Sequence, residues 1–138
     1  TEIITPKCEI MAIKYYQAPD VKREVDRIIL GLNLSHIAAE KIICCRSKGS
    51  KAKRTLARIH ALPKVWQIGL RLPTHYLIEV LGERFDNLVD EDKAKTLIHE
   101  LLHIPRSFGG GFKHHGRDVN QRRVDALYEA LEEELRSG

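Results

Sequence analysis

A chain of 138 residues suits one compact domain, read here as residues 1–138, and leaves no room for a second of ordinary size. With 43% hydrophobic and 30% charged residues it has the balance of a globular protein, not a disordered or fibrous one. Its net charge of +4 is too small by itself to imply a nucleic-acid partner. No apolar run approaches bilayer length and no N-terminal segment has a signal-peptide layout, so a soluble, cytoplasmic protein without a membrane partner is expected. Three cysteines, Cys8, Cys44 and Cys45, without CxxC spacing argue against a disulfide framework or a cysteine-based zinc ribbon. Reduced thiols on strands are expected, with Cys44 and Cys45 facing opposite ways.

Pro19 to Leu32 reads as an amphipathic helix, with Val21, Val25, Ile28, Ile29 and Leu32 at helical spacing and Gly31 near its end. Residues 36–45 suit a strand, 47–54 a basic turn, and 55–62 a second strand, together making a hairpin with a long basic tip. Pro63 and Pro73 bracket a short helical segment, with Trp66 expected in the core. HYLIEVLG, residues 75–82, has the strongest strand bias. In DEDKAKTLIHELLHIP, Asp90 is expected to cap a helix, Glu91 and Asp92 to suit its positive N-terminus, and Pro105 to stop it. A glycine-bearing loop follows. From about Arg117 to Arg136 another amphipathic helix carries Val124, Leu127, Tyr128, Leu131 and Leu135 on one face.

The chemistry concentrates in HELLHIPRSFGGGFKHHG, His99 to Gly116. Residues four apart share a helix face, so His99 and His103 can offer imidazole nitrogens to one ion, while Glu100 can reach a water on it. Ala94, Leu97, Ile98, Leu101, Leu102 and Ile104 surround the pair with apolar side chains. Burying two histidines and a glutamate without partners is costly, and a metal offsets that cost. A catalytic zinc keeps three protein ligands and a water. The longer HExxHxxGxxH pattern fails, because Gly109 stands where its last histidine belongs. The third ligand is left among His114, His115, Asp125, Glu129 and Glu132, the histidines being nearest and carried by the flexible Gly109–Gly111 run.

HELLH together with HHGRDV resembles the SprT-like and related minimal zincin metallopeptidases. The frame YLIEV…ERFDNL…LIHELLHIP…SFGGG, with a weaker echo in RSKGSKAKR…ARIHALPKVWQ, is similar to a family of metallopeptidases seen in archaea and phages. The resemblance implies an α+β, zincin-like fold: a small mixed β-sheet packed with an N-terminal helix, a central HExxH helix and a C-terminal helix. It implies one Zn²⁺ per chain, with His115, the histidine of an HGxx[F/V] element, as third ligand beside His99 and His103. Unlike SprT-like enzymes, the chain has no cysteine pairs after the site, so a zinc-ribbon role is not carried over.

On this reading the function is zinc-dependent hydrolysis of peptide bonds, with Glu100 as general base and an extended or unfolded polypeptide as substrate. Oxyanion donors are sought in Tyr128, His75 and Lys113, with His114 beside the site, although Tyr128 suits the core. The strand at 75–82 is expected, by resemblance to zincins, to run along the cleft and pair with an endopeptidase substrate. The alternative is a nucleic-acid-associated module with a structural zinc, or none, using Arg46, Lys48, Lys51, Lys53, Arg54 and Arg58. A closed site with four protein ligands would mark that case. A metal-dependent hydrolase acting on a non-peptide substrate is a third possibility. His36 and His60 lack partners at ligand spacing and read as ordinary strand histidines.

Overall fold

The computed structural model describes residues 12–137, so Cys8 lies outside the described residues. Four strands form one sheet: β1 (Lys14–Gln17), β2 (Ile42–Lys48), β3 (Ala57–Ala61) and β4 (Tyr76–Leu81). Three long helices accompany them, α1 (Pro19–Gly31), α4 (Asp90–Leu102) and α5 (Gln121–Ser137), with short helices α2 (Lys64–Leu70) and α3 (Gly82–Phe85). The architecture is α+β with a mixed sheet, as expected. No helix of the described residues is long and apolar enough to cross a membrane.

The strand order is β1-β2-β4-β3. β2 runs antiparallel to β1 and parallel to β4, and β3 runs antiparallel to β4. The expected β2–β3 hairpin is therefore absent: β4 inserts between the two. β4 is the most apolar strand, with Tyr76, Ile78, Val80 and Leu81 all buried, and a central position is the one that shields both of its edges. A hairpin reading from local spacing cannot see a strand that arrives later in the chain.

Alternation sorts the sheet into two faces. Ile42, Cys44, Tyr76, Ile78 and Val80 face the helices and join Val25 and Ile28 of α1, Leu97, Ile98 and Leu101 of α4, and Val124 and Leu131 of α5 in one core. Each such fully buried aliphatic side chain contributes roughly 1.5–3 kcal/mol of transfer free energy. The opposite face carries Tyr15, Ile43, Cys45, Leu77 and Glu79. Cys44 is buried and Cys45 half-buried, on opposite faces as expected.

Several boundaries differ from the sequence reading. The strand expected from His36 begins at Ile42, because α1 ends in a turn at Asn33 (φ 53°) and residues 39–41 form a 3-10 turn. His36 thus sits in a connection rather than on a strand, while His60 does lie on β3. β2 continues into the basic segment as far as Lys48, held by β4 up to Ser47 and by β1 at Lys48. Trp66 is 59% exposed, not core, since α2 turns only Gln67 inward. Gln67 fixes the helix by donating to the Leu62 carbonyl at 2.9 Å. Asp90 is the first residue of α4 rather than its cap, Val89 taking that place without a side-chain bond. The last helix starts at Gln121, four residues late, because Asn120 caps it by accepting the Arg123 N–H at 2.9 Å.

Candidate metal centre

α4 is directional in its charge. Asp90, Glu91 and Asp92 occupy its first turn, Lys95 pairs with Glu91 one turn on, and the helix ends at Leu102 with His103 as its cap. Pro105 then prevents continuation, since it has no N–H to give. His99 and His103 therefore stand on the last turn, where the unpaired carbonyls leave about half a negative charge that favours a bound cation.

The loop after the helix folds back and brings His115 to this pair. The rings of His99, His103 and His115 lie with centroids 4.8–5.1 Å apart. One ligand atom from each falls within 4.8 Å of the others. His99 Nε2 and His115 Nε2 are 3.0 Å apart, close to the separation of about 3.4 Å expected for two nitrogens on a tetrahedral zinc. The three imidazoles thus form a group that could hold one ion between them. His99 and His103 are half-buried and His115 is exposed, so one side of the cluster opens to solvent.

His103 is oriented from behind. Its Nδ1 lies 2.6 Å from the Lys113 carbonyl oxygen, and the Lys113 N–H donates to the His103 carbonyl at 2.7 Å. A carbonyl only accepts, so Nδ1 carries the proton and Nε2 keeps its lone pair for an ion. Burial holds the His99 pKa below the ordinary histidine value, and the His103 and His115 rings lower it further. Each effect favours the neutral, ligating imidazole.

Glu100 lies next to His99 but outside the group of three imidazoles. It is 9% exposed, and burial pushes its carboxyl up to about 7. It lines, with His99, a cleft of about 400 Å³ between α4 and the lead into β3. Thr55, Ala57, Thr96 and Gln121 also line that cleft, and Arg54 stands in its wall.

The other sequence candidates separate. His114 is exposed and outside the cluster. His75 precedes β4 with Nδ1 2.9 Å from the Pro73 carbonyl, and lines an apolar groove with Ile43 and Leu72. Tyr128 lines a different groove with Asp20, Phe85 and Glu132, and Lys95 lies over its ring. Lys113 serves through its backbone, while its Nζ lies 3.9 Å from Asp118. Of the alternative ligands, Asp125 is tied to Lys95 at 3.1 Å, and neither Glu129 nor Glu132 joins the cluster.

Two of the six basic side chains are engaged. Arg46 spans Asp20 and Asp86 at 2.9 and 3.0 Å, and Arg58 approaches the buried Glu79 at 3.7 Å. Lys48, Lys51, Lys53 and Arg54 are exposed.

The strand beside the cleft is β3, not the 75–82 strand. β4 has a neighbour on each side and offers no free edge. On β3, Leu62 N–H donates to His75 and the Leu56 carbonyl accepts from Leu81, both at 2.9 Å. Even-numbered residues from 56 to 62 thus turn their backbone groups toward β4. Ala57, Ile59 and Ala61 turn theirs to the open edge.

Residues that the sequence reading missed hold the loop in place. Asn120 Nδ2 donates to the Gly116 and Arg117 carbonyls at 2.6 and 3.0 Å, just past His115. An asparagine before an apolar-periodic segment is a recognisable cap signal. The Tyr76 hydroxyl meets Gly110 and Gly111 before it, a pairing across more than thirty residues that no local pattern announces.

No curated protein and no solved structure shows significant similarity to the chain. Residues 13–135, nearly the whole length, match one protein family, and the chain belongs to it: the family described as putative phage metallopeptidase.

Proposed function

We propose that the protein is a zinc-dependent peptidase acting on extended polypeptide segments. The observation that carries this is the three-histidine cluster open to solvent on one side, with a buried carboxyl on the adjoining helix turn. Membership of a metallopeptidase family supports it.

Zinc held by His99, His103 and His115 would supply an acidified water and polarise the carbonyl of the bond to be cut. Glu100 accepts the proton of the attacking water and passes it to the departing amine. Its burial suits this exchange, because a carboxyl raised toward neutrality both takes and returns a proton readily. His103, held through Nδ1 by the Lys113 carbonyl, would offer its Nε2 to the ion. The free edge of β3 takes the substrate backbone as an added strand, Ala57, Ile59 and Ala61 supplying N–H and carbonyl groups. Backbone recognition asks little of side chains, so an endopeptidase with broad sequence tolerance is expected.

A nucleic-acid role for the basic segment has less support, because Arg46 and Arg58 are neutralised by neighbouring carboxylates. A structural zinc also has less support, since no fourth ligand joins the three histidines among the described residues. The test is metal content and cleavage measured together. One zinc per chain and chelator-sensitive cleavage of unfolded casein are expected. Stoichiometric zinc with no cleavage across many unfolded substrates would sink the reading.

A further inference from the structure

His115 lies on a loop that would be hard to hold still. Three consecutive glycines, Gly109–Gly111, precede it, and Gly110 has φ +99°, a conformation closed to most side-chain-bearing residues. Glycine loses more backbone freedom on ordering than any other residue, so this run resists a single conformation unless something pins it.

Tyr76 does the pinning. As first residue of the central strand it is 0% exposed, and its hydroxyl sits inside the loop. That oxygen accepts the Gly110 N–H at 2.9 Å and donates to the Gly111 carbonyl at 2.8 Å. Its ring meets Phe108 and Phe112 edge-on, at centroid distances of 5.0 and 5.7 Å, so the residues flanking the glycines are clasped as well. Both hydrogen bonds lie four or five residues before His115. Within the same loop the Lys113–His103 pair, and after it Asn120, complete its tethering.

We propose that Tyr76 is a positioning residue for the metal: its hydroxyl fixes the glycine loop to the sheet, so that His115 already stands opposite His99 and His103 before an ion arrives. The proposal rests on the three-histidine zinc reading and adds to it a residue that touches neither ion nor substrate. The physical content is preorganisation. With the tether, the loop is ordered as the chain folds; without it, ordering accompanies zinc binding and lowers the affinity.

Tyr76→Phe isolates the hydroxyl, keeping the ring and its contacts with Phe108 and Phe112. Zinc dissociation constants are measured by competition with a chromophoric chelator, and amide hydrogen exchange is followed in the metal-free protein. The expected results are an affinity about 10- to 100-fold weaker, the range seen when groups supporting a metal ligand are removed, and faster exchange confined to residues 108–115. Exchange in β4 and α4 reports that the variant still folds.

A double-mutant cycle decides whether the effect runs through His115. In a His115→Ala background, Tyr76→Phe should lose most of its effect on zinc affinity. Unchanged affinity in Tyr76→Phe would overturn the proposal, as would a loss that persists in full without His115. Wild-type affinity in His115→Ala alone would instead strike the underlying ligand set.

Discussion

His99 and Glu100 are neighbours in sequence, yet one step round a helix gives them different surroundings. His99 turns toward two other imidazoles, while Glu100 is buried along the cleft with no charged partner among the described residues. The same logic separates His114 from His115: only the latter reaches the cluster, and Gly116 and Asn120 fix the chain just beyond it. Replacing His115 by alanine should lower zinc affinity by several powers of ten, while His114→Ala should leave it within a few-fold, as read by chelator competition. The reverse order would move the third ligand to His114. Helix spacing made the placement of His99 and His103 on one face, with Glu100 beside them, legible from sequence. His115 needed the family resemblance, because loop geometry after a glycine run is not encoded in local periodicity.

At the scale of elements, α4 and the edge strand β3 form the cleft together. The sequence reading placed the 75–82 strand along the cleft by resemblance to zincins, but that strand's own apolar bias puts it inside the sheet. A strand rich in buried apolar residues belongs in the middle of a sheet, where it has no edge to offer. β3 is shorter and half-buried, with alanines at both ends, which suits an edge that something else must approach. Ala57→Pro removes one outward N–H beside His99 while sparing the bonds that Leu56, Arg58, His60 and Leu62 make to β4. Loss of one such bond predicts a fall of about tenfold in kcat/KM for an unfolded substrate, with zinc content and thermal stability nearly unchanged. Equal kcat/KM would exclude pairing at this edge.

At the scale of the molecule, the sheet's second face holds a buried charge away from the three clustered histidines. Glu79 is 2% exposed on the central strand, accepting from Ser47 Oγ at 2.5 Å and meeting His60 Nε2 at 2.8 Å. Burial raises its pKa, but Ser47, His60 and Arg58 more than offset this and hold the carboxyl below its ordinary value. A carboxyl depressed in the folded state adds stability above its unfolded pKa and loses it as pH falls through the folded one. The stability gap between wild type and Glu79→Gln, read from urea unfolding, should therefore narrow on going from about pH 6 to about pH 3. A constant gap would show that the charge is not what stabilises. The network was invisible in sequence because it joins β2, β3 and β4 across the unforeseen strand order. The long helices, by contrast, were legible from end to end within a few residues, since their apolar faces follow one local period.

The central claim is that an ion held by His99, His103 and His115 works with Glu100 on a peptide bond. Its most direct test compares wild type and Glu100→Gln, with zinc content and casein cleavage measured on the same samples. One zinc per chain is expected in both proteins, with chelator-sensitive cleavage in wild type and a loss of at least about 10²-fold in the variant, the usual scale of general-base catalysis. Retained cleavage in Glu100→Gln would contradict it.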